Sequence, residues 1–243
     1  MFEFLVTAFD VVLYRPLFNA LILIYNYLPG HDFGLAIIIL TAIIKVILYP
    51  LSVKALNSQM AMQKLQPKLQ EIQKKYKDDK EKQAKETLEL YRSEKLNPFS
   101  GLFLVMLQLP ILIALYRVFW RGIKPEELVI VYGFVANPVS INTMFFGLVD
   151  LAAPSFLFAV VAGILQFFQT KMLMPKVKKE KAEPRDIAAM MQTQMVYFFP
   201  LITVVILIKL PSALGLYWIA SGAFSIAQQY FLLKPKKDAA LKL

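Results

Sequence analysis

The sequence predicts an all-α polytopic membrane protein: five transmembrane helices, a cytoplasmic helical hairpin and an N-terminal interfacial helix. Three observations predict it. Of the 243 residues 58% are hydrophobic and the mean hydropathy is +0.54, too apolar for a soluble domain to cover itself with polar surface. The apolar residues fall into runs long enough to cross a bilayer. The cations, which set a net charge of +10, cluster between those runs, where they act as topology signals and attract anionic lipid rather than marking a specific nucleic-acid site.

Residues 1–33 are apolar but interrupted by Glu3, Asp10, Arg15, Pro16, Asn19 and Asn26. They lack the basic start and small-residue cleavage site of a signal peptide. As a helix, residues 17–28 reach only about 18 Å, too short to cross. The expectation is an extracytoplasmic helix lying in the interface, with a tilted sixth span starting near Met1 as the alternative. The single histidine, His31, sits in a Pro-Gly-His-Asp turn, which reads as loop. No metal or cofactor is expected.

Residues 34–54, GLAIIILTAIIKVILYPLSVK, form the first span and carry Lys45 inside the apolar run. An ammonium at mid-helix costs on the order of 2.5–3.5 kcal/mol on insertion scales. Either Lys45 snorkels toward the nearer surface, or it faces a protein-lined wet cavity and works there.

Residues 55–97 are polar and free of glycine. Leu65, Leu69, Ile72 and Tyr76 recur at helical spacing, as do Leu88 and Tyr91, and Lys77-Asp78-Asp79-Lys80 separates the two sets. This predicts two antiparallel helices with an apolar seam and a kink at Pro67. Residues 98–120 make the second span, with Gln108 and Pro110 inside it, and residues 121–152 an outer loop. Residues 153–174 make the third span, with Gln166 and Gln169; 175–190 form a polar loop; 191–210 make the fourth span, with Gln192, Gln194 and Pro200. Residues 211–233 make the fifth, with Tyr217, Trp218, Ser221, Ser225, Gln228 and Gln229, and 234–243 a basic tail. By the positive-inside rule the hairpin, second loop and tail are cytoplasmic and the N-terminus is outside.

The chain has no cysteine, hence no disulfide, thiol nucleophile or lipidated start. It shows no glycine-rich phosphate loop, no cluster of metal ligands and no pair of carboxylates within the spans. The scarcity of intramembrane acids argues against a proton relay, and the lack of an internal repeat against many secondary transporters. What remains is Lys45 plus neutral hydrogen-bonding groups: Thr41, Gln108, Gln166, Gln169, Gln194, Tyr217, Trp218 and Ser221. Each alone serves as packing glue. Converging on Lys45, they would form a hydrophilic pocket inside the bilayer.

GLAIIILTAIIKVILYPL, LQPKLQEIQKKY, LYRSEKLNPFSGLFLVMLQLPILIALY and FFPLITVVILIKLPSALGLYWIASG, in that order, resemble the YidC family of membrane protein insertases, bacterial relatives of the mitochondrial oxidase-assembly and chloroplast thylakoid insertases. The resemblance covers the chain from about Tyr14 to Leu233. It implies a five-helix core around a hydrophilic groove, open to the cytoplasm and to lipid and closed outside, and a non-enzymatic role in inserting membrane proteins into the bacterial cytoplasmic membrane. Lys45, Thr41, Gln108, Gln166, Gln169, Tyr217 and Trp218 would face the groove. At the hairpin tip, Lys74, Lys75, Lys77, Asp78, Asp79 and Lys80 would meet the nascent chain or ribosome, with the Sec translocon a further candidate partner. The family's groove cation is usually arginine; lysine keeps the charge but loses bidentate pairing. Two other readings are a transporter or channel for an anionic small molecule bound at Lys45, and a scaffold subunit.

Overall fold

The computed structural model describes residues 2–97, 100–121, 128, 130–138, 140–174 and 187–233. Part of the expected 121–152 loop, most of the 175–190 loop and the 234–243 tail lie outside the described residues.

The chain begins with α1 (Phe2–Phe9), a π turn (Asp10–Tyr14) and α2 (Arg15–Tyr27) in succession. Helix therefore starts well before residue 17. Pro16, which the sequence reading treats as an interruption, sits in the first turn of α2, where its missing N–H costs little. The preceding π turn, closed by the Arg15 N–H on the Asp10 carbonyl five residues back, absorbs the mismatch. Glu3–Tyr27 is the one helical run among the described residues that is by itself long and apolar enough to cross a bilayer.

Asp32 caps α3 (Phe33–Ile47): its Oδ1 accepts the Leu35 N–H at 2.9 Å and its Oδ2 the Phe146 N–H at 2.7 Å. The expected straight span over 34–54 is broken at Leu48, where α3 and α4 (Tyr49–Lys75) meet at 64°. Pro50 is the cause, since it cannot donate to the Val46 carbonyl and its ring crowds that turn. Together the two helices qualify as one bent span. The helix continues through Pro67.

A turn leads to α5 (Lys80–Ser93), whose first turn is capped by Asp79 through the Lys82 N–H at 3.0 Å. On α4, Leu65 and Leu69 are buried as the periodicity expects. On α5, Leu88 is not: it is 54% exposed. Gln83, Thr87, Leu90 and Tyr91 form the half-buried stripe instead, and Lys68 pairs with Glu94 at 2.6 Å.

α6 (Ser100–Arg121) contains Pro110, a loop leads from it to α7 (Phe156–Met172), and α8 (Ile187–Leu207) and α9 (Ser212–Leu233) complete the bundle. Residues 187–190, expected in a loop, are the first turn of α8. Gln108–Trp120, Phe156–Met172 and Val196–Leu207 are shorter apolar helices.

The dry core lies at one end. Phe18, Leu21 and Ile22 of α2, Phe33 and Ile37 of α3, Leu115 and Phe119 of α6, Leu151, and Leu214 of α9 are all nearly inaccessible. The described part of the loop between α6 and α7 is laced over this end. Asn19 accepts the Tyr132 N–H at 2.6 Å and donates to the Ile130 carbonyl at 3.3 Å; Asn26 donates to the Ala136 carbonyl at 2.6 Å; the Tyr25 hydroxyl accepts the Asn142 N–H at 2.9 Å. A two-stranded hairpin, β1 (Met144–Phe145) and β2 (Val149–Asp150), turns through Gly147 at φ +69° and lays Phe145 against Gly34. With one end sealed by apolar side chains, the polar residues of the spans collect toward the other.

Candidate functional site

Beyond the dry core the helices part around a cavity of about 410 Å³. Five helices line it. Lys45 comes from α3, and Ser52 and Gln59 from α4; Gln108 comes from α6, Gln166 and Gln169 from α7, and Tyr217, Trp218, Ser221, Ser225, Gln228 and Gln229 from α9. Leucines 48, 56, 109, 112 and 173 fill the gaps. The cavity is large enough for several waters and offers polar partners to them.

α9 is the hub. Its lining residues recur every three or four positions, so they form one stripe along one face. That stripe is hydrogen-bonded to four other helices. Ser225 Oγ accepts from Lys45 Nζ at 3.1 Å, across to α3. Gln228 Nε2 donates to Ser52 Oγ at 2.7 Å, across to α4. The Tyr217 hydroxyl accepts from Gln108 of α6, and Trp218 Nε1 donates to Gln166 Oε1 of α7 at 3.4 Å. The Gln63 amide of α4 reaches the Leu173 carbonyl beyond the end of α7 and ties the hairpin to the same rim.

Lys45 is the single formal charge in the described lining. Its partner in the structure is a neutral hydroxyl, which solvates the ammonium without cancelling it. Lys45 therefore faces a polar cavity rather than snorkelling alone along lipid. The arrangement can attract an anion and hydrogen-bond a polar chain.

Six of the seven expected groove residues line this cavity: Lys45, Gln108, Gln166, Gln169, Tyr217 and Trp218. Thr41 does not. It is buried at 3% exposure one turn nearer the dry end, where its hydroxyl donates to the Ile37 carbonyl of its own helix at 2.7 Å. Gln194 is exposed on α8, away from the cavity. Ser52 and Gln59 are not among the expected groove residues: Ser52 lies at the end of the first span, and Gln59 in the stretch that reads as hairpin. Their signal was present: positions 45, 48, 52, 56 and 59 continue one helical face across the bend at Leu48.

The hairpin-tip residues form a separate feature. Lys74, Lys75, Lys77, Asp78 and Lys80 are exposed; Lys75 lies 5.1 Å from the Tyr76 ring centroid, and Asp79 pairs with Lys82 at 3.3 Å. None of them lines the cavity.

Comparison with known proteins places these features among relatives. The family model described as 60Kd inner membrane protein matches residues 23–239. A membrane protein insertase YidC of Fusobacterium nucleatum is 36% identical over 203 residues, covering 84% of this chain and 87% of that protein. The YidC of Histophilus somni strain 129Pt is 35% identical over 223 residues, 90% of this chain but 36% of the relative, so this chain spans about a third of that longer protein's length. Among solved structures, an active YidC insertase with its first transmembrane domain resolved is similar over 90% of this chain and 46% of that one, at 29% identity and a TM-score of 0.58.

Proposed function

From the premise that this chain belongs to the YidC family of membrane protein insertases, we propose that it helps small or newly made membrane proteins enter and fold in the bacterial cytoplasmic membrane, without covalent chemistry. The observation that carries the reading is the cavity with Lys45 as its single lining charge and neutral amides and hydroxyls around it. A polar or acidic N-terminal segment of a substrate would enter this cavity from the cytoplasm. Lys45 would offset part of its charge at the point where bulk water is lost. The substrate's apolar helix would leave sideways into lipid, driven by burial of its own residues.

In this reading the bent α3–α4 pair to residue 54, α6, α7, α8 and α9 are the five spans, the 55–97 hairpin and the tail are cytoplasmic, and the N-terminus is outside. The loop contacts of Asn19, Tyr25 and Asn26 support an interfacial position for α2, because a loop fastened along a spanning helix would be drawn to membrane depth. The dry core would then be the outer seal. The exposed lysines of the hairpin tip suit contact with a nascent chain or ribosome, and anionic lipids and the Sec translocon are further proposed partners. Family membership leaves the transporter and scaffold readings without support.

The test is complementation in a strain depleted of its own insertase. Lys45→Arg rescues growth and substrate insertion, and Lys45→Ala fails. If alanine works as well as lysine, the charge is dispensable and this mechanism is wrong.

A further inference from the structure

Six of the polar side chains lining the cavity are glutamines, at 59, 108, 166, 169, 228 and 229. A wet pocket for an ion needs no such repetition. A side-chain amide carries one acceptor and two donors, the same groups a peptide bond presents. One of the six is incomplete. Gln229 is 4% exposed and its Oε1 has no hydrogen-bond partner among the described residues, so a residue of the cavity wall holds a buried acceptor with nothing to accept from. Gln59 and Gln169, on two other walls, also make no side-chain hydrogen bond among the described residues.

Resting on the insertase reading above, we infer that these glutamines bind the main chain of a substrate segment held in extended form, with Gln229 Oε1 accepting a substrate backbone N–H. The chemistry favours this occupant. A helix satisfies its own N–H and C=O groups, whereas an extended segment brings one unpaired donor and acceptor per residue into a region poor in water. Lys45 only donates, so it can meet an acid or a carbonyl but not a main-chain N–H. Amide side chains assist any sequence, which a protein handling many substrates needs. The cavity thus divides the work: charge is met by Lys45, and main chain by the glutamines on α4, α6, α7 and α9.

The test uses the full chain in proteoliposomes and a single-span substrate made by cell-free synthesis. Its N-terminal segment is either a neutral Gly-Ser sequence or the same sequence with proline at alternate positions, which removes half the N–H donors. Protease protection reads translocation. Gln229→Leu lowers insertion of the Gly-Ser segment about fivefold, the effect of one net hydrogen bond, and lowers that of the proline segment less than twofold. Gln169→Leu, on α7, shows the same selectivity and guards against a folding defect peculiar to position 229. Equal losses on both segments, or no loss on either, overturn the inference. Failure of the unsubstituted protein to insert either segment sinks the insertase reading instead.

Discussion

The ammonium of Lys45 and the hydroxyl of Ser225 meet at 3.1 Å across α3 and α9, in a cavity whose described lining holds no carboxylate. A serine oxygen can solvate a cation but leaves its charge uncompensated. A carboxylate at about 4 Å would gain on the order of 4 kcal/mol at an effective dielectric near 20. The cation therefore has no carboxylate to pair with in the described lining.

That relationship predicts a coupling between Lys45 and the substrate. Lys45→Ala should reduce insertion of a substrate with Asp and Glu in its translocated segment tenfold or more. For the same substrate with those residues changed to Asn and Gln, the loss should be under twofold. Protease protection in proteoliposomes measures both. Equal losses would mean that Lys45 acts through cavity shape or hydration rather than through charge pairing.

An ion pair fastens the N-terminal helix. Arg117 of α6 contacts Asp10 in the π turn at 2.7 Å, and its guanidinium lies 5.1 Å from the Phe9 ring centroid. Both side chains are about one-third exposed (34% and 36%), so screening limits the pair to on the order of 1 kcal/mol. Arg117→Leu and Asp10→Leu should each speed proteolytic removal of α1. The double variant should be less sensitive than either single one, because no unpaired charge remains. Additive sensitivity in the double variant would show that the two residues act independently.

These two pairs mark where the sequence was readable and where it was not. The polar stripe on α9 shows in the spacing of Tyr217, Ser221, Ser225 and Gln229, since helical periodicity is a local property. Lys45 stands out because a cation in an apolar run is costly wherever it points. Thr41 misled for the same local reason: it shares a face with Lys45, but a hydroxyl can satisfy itself on its own helix, and spacing does not say where a cavity ends. Leu88 points outward because a loosely packed surface hairpin is decided by which polar residues its neighbours tolerate. Asp10 and Arg117 lie 107 positions apart, and no periodicity encodes that meeting. Nor did the sequence show that Pro16 could be accommodated by a π turn, which lengthened the N-terminal helix.

Asn19 is the buried peg of the loop between α6 and α7, 3% exposed and bonded to Tyr132 N–H, the Ile130 carbonyl and the Arg15 carbonyl. Asn19→Leu would leave the Tyr132 N–H without its acceptor at a cost of about 1–3 kcal/mol. Amide exchange at Tyr132 should accelerate, and the 128–142 segment should become cleavable. Asn19→Asp keeps the acceptor but buries a charge, so it should not restore protection. Unchanged exchange in Asn19→Leu would show that the loop is held by its apolar contacts alone.

α7 and α8 pack closely at Gly163. A Cβ added at Gly163 would stand 2.4 Å from Val204 Cγ2 and 3.3 Å from the Pro200 carbonyl oxygen. The first distance is far inside van der Waals contact, and Val204 is stiff because it is β-branched. The second involves backbone next to a proline, which cannot easily shift. Gly163→Ala should therefore destabilise the protein by about 1–3 kcal/mol through overpacking, read as a lowered melting temperature in detergent. Gly163→Val should be worse. Val204→Ala removes Cγ2 and should recover most of the loss in Gly163→Ala while lowering stability by itself, a sign reversal that only a direct clash produces. If Val204→Ala adds to the loss instead, α7 and α8 must separate on substitution and the clash is relieved by helix movement.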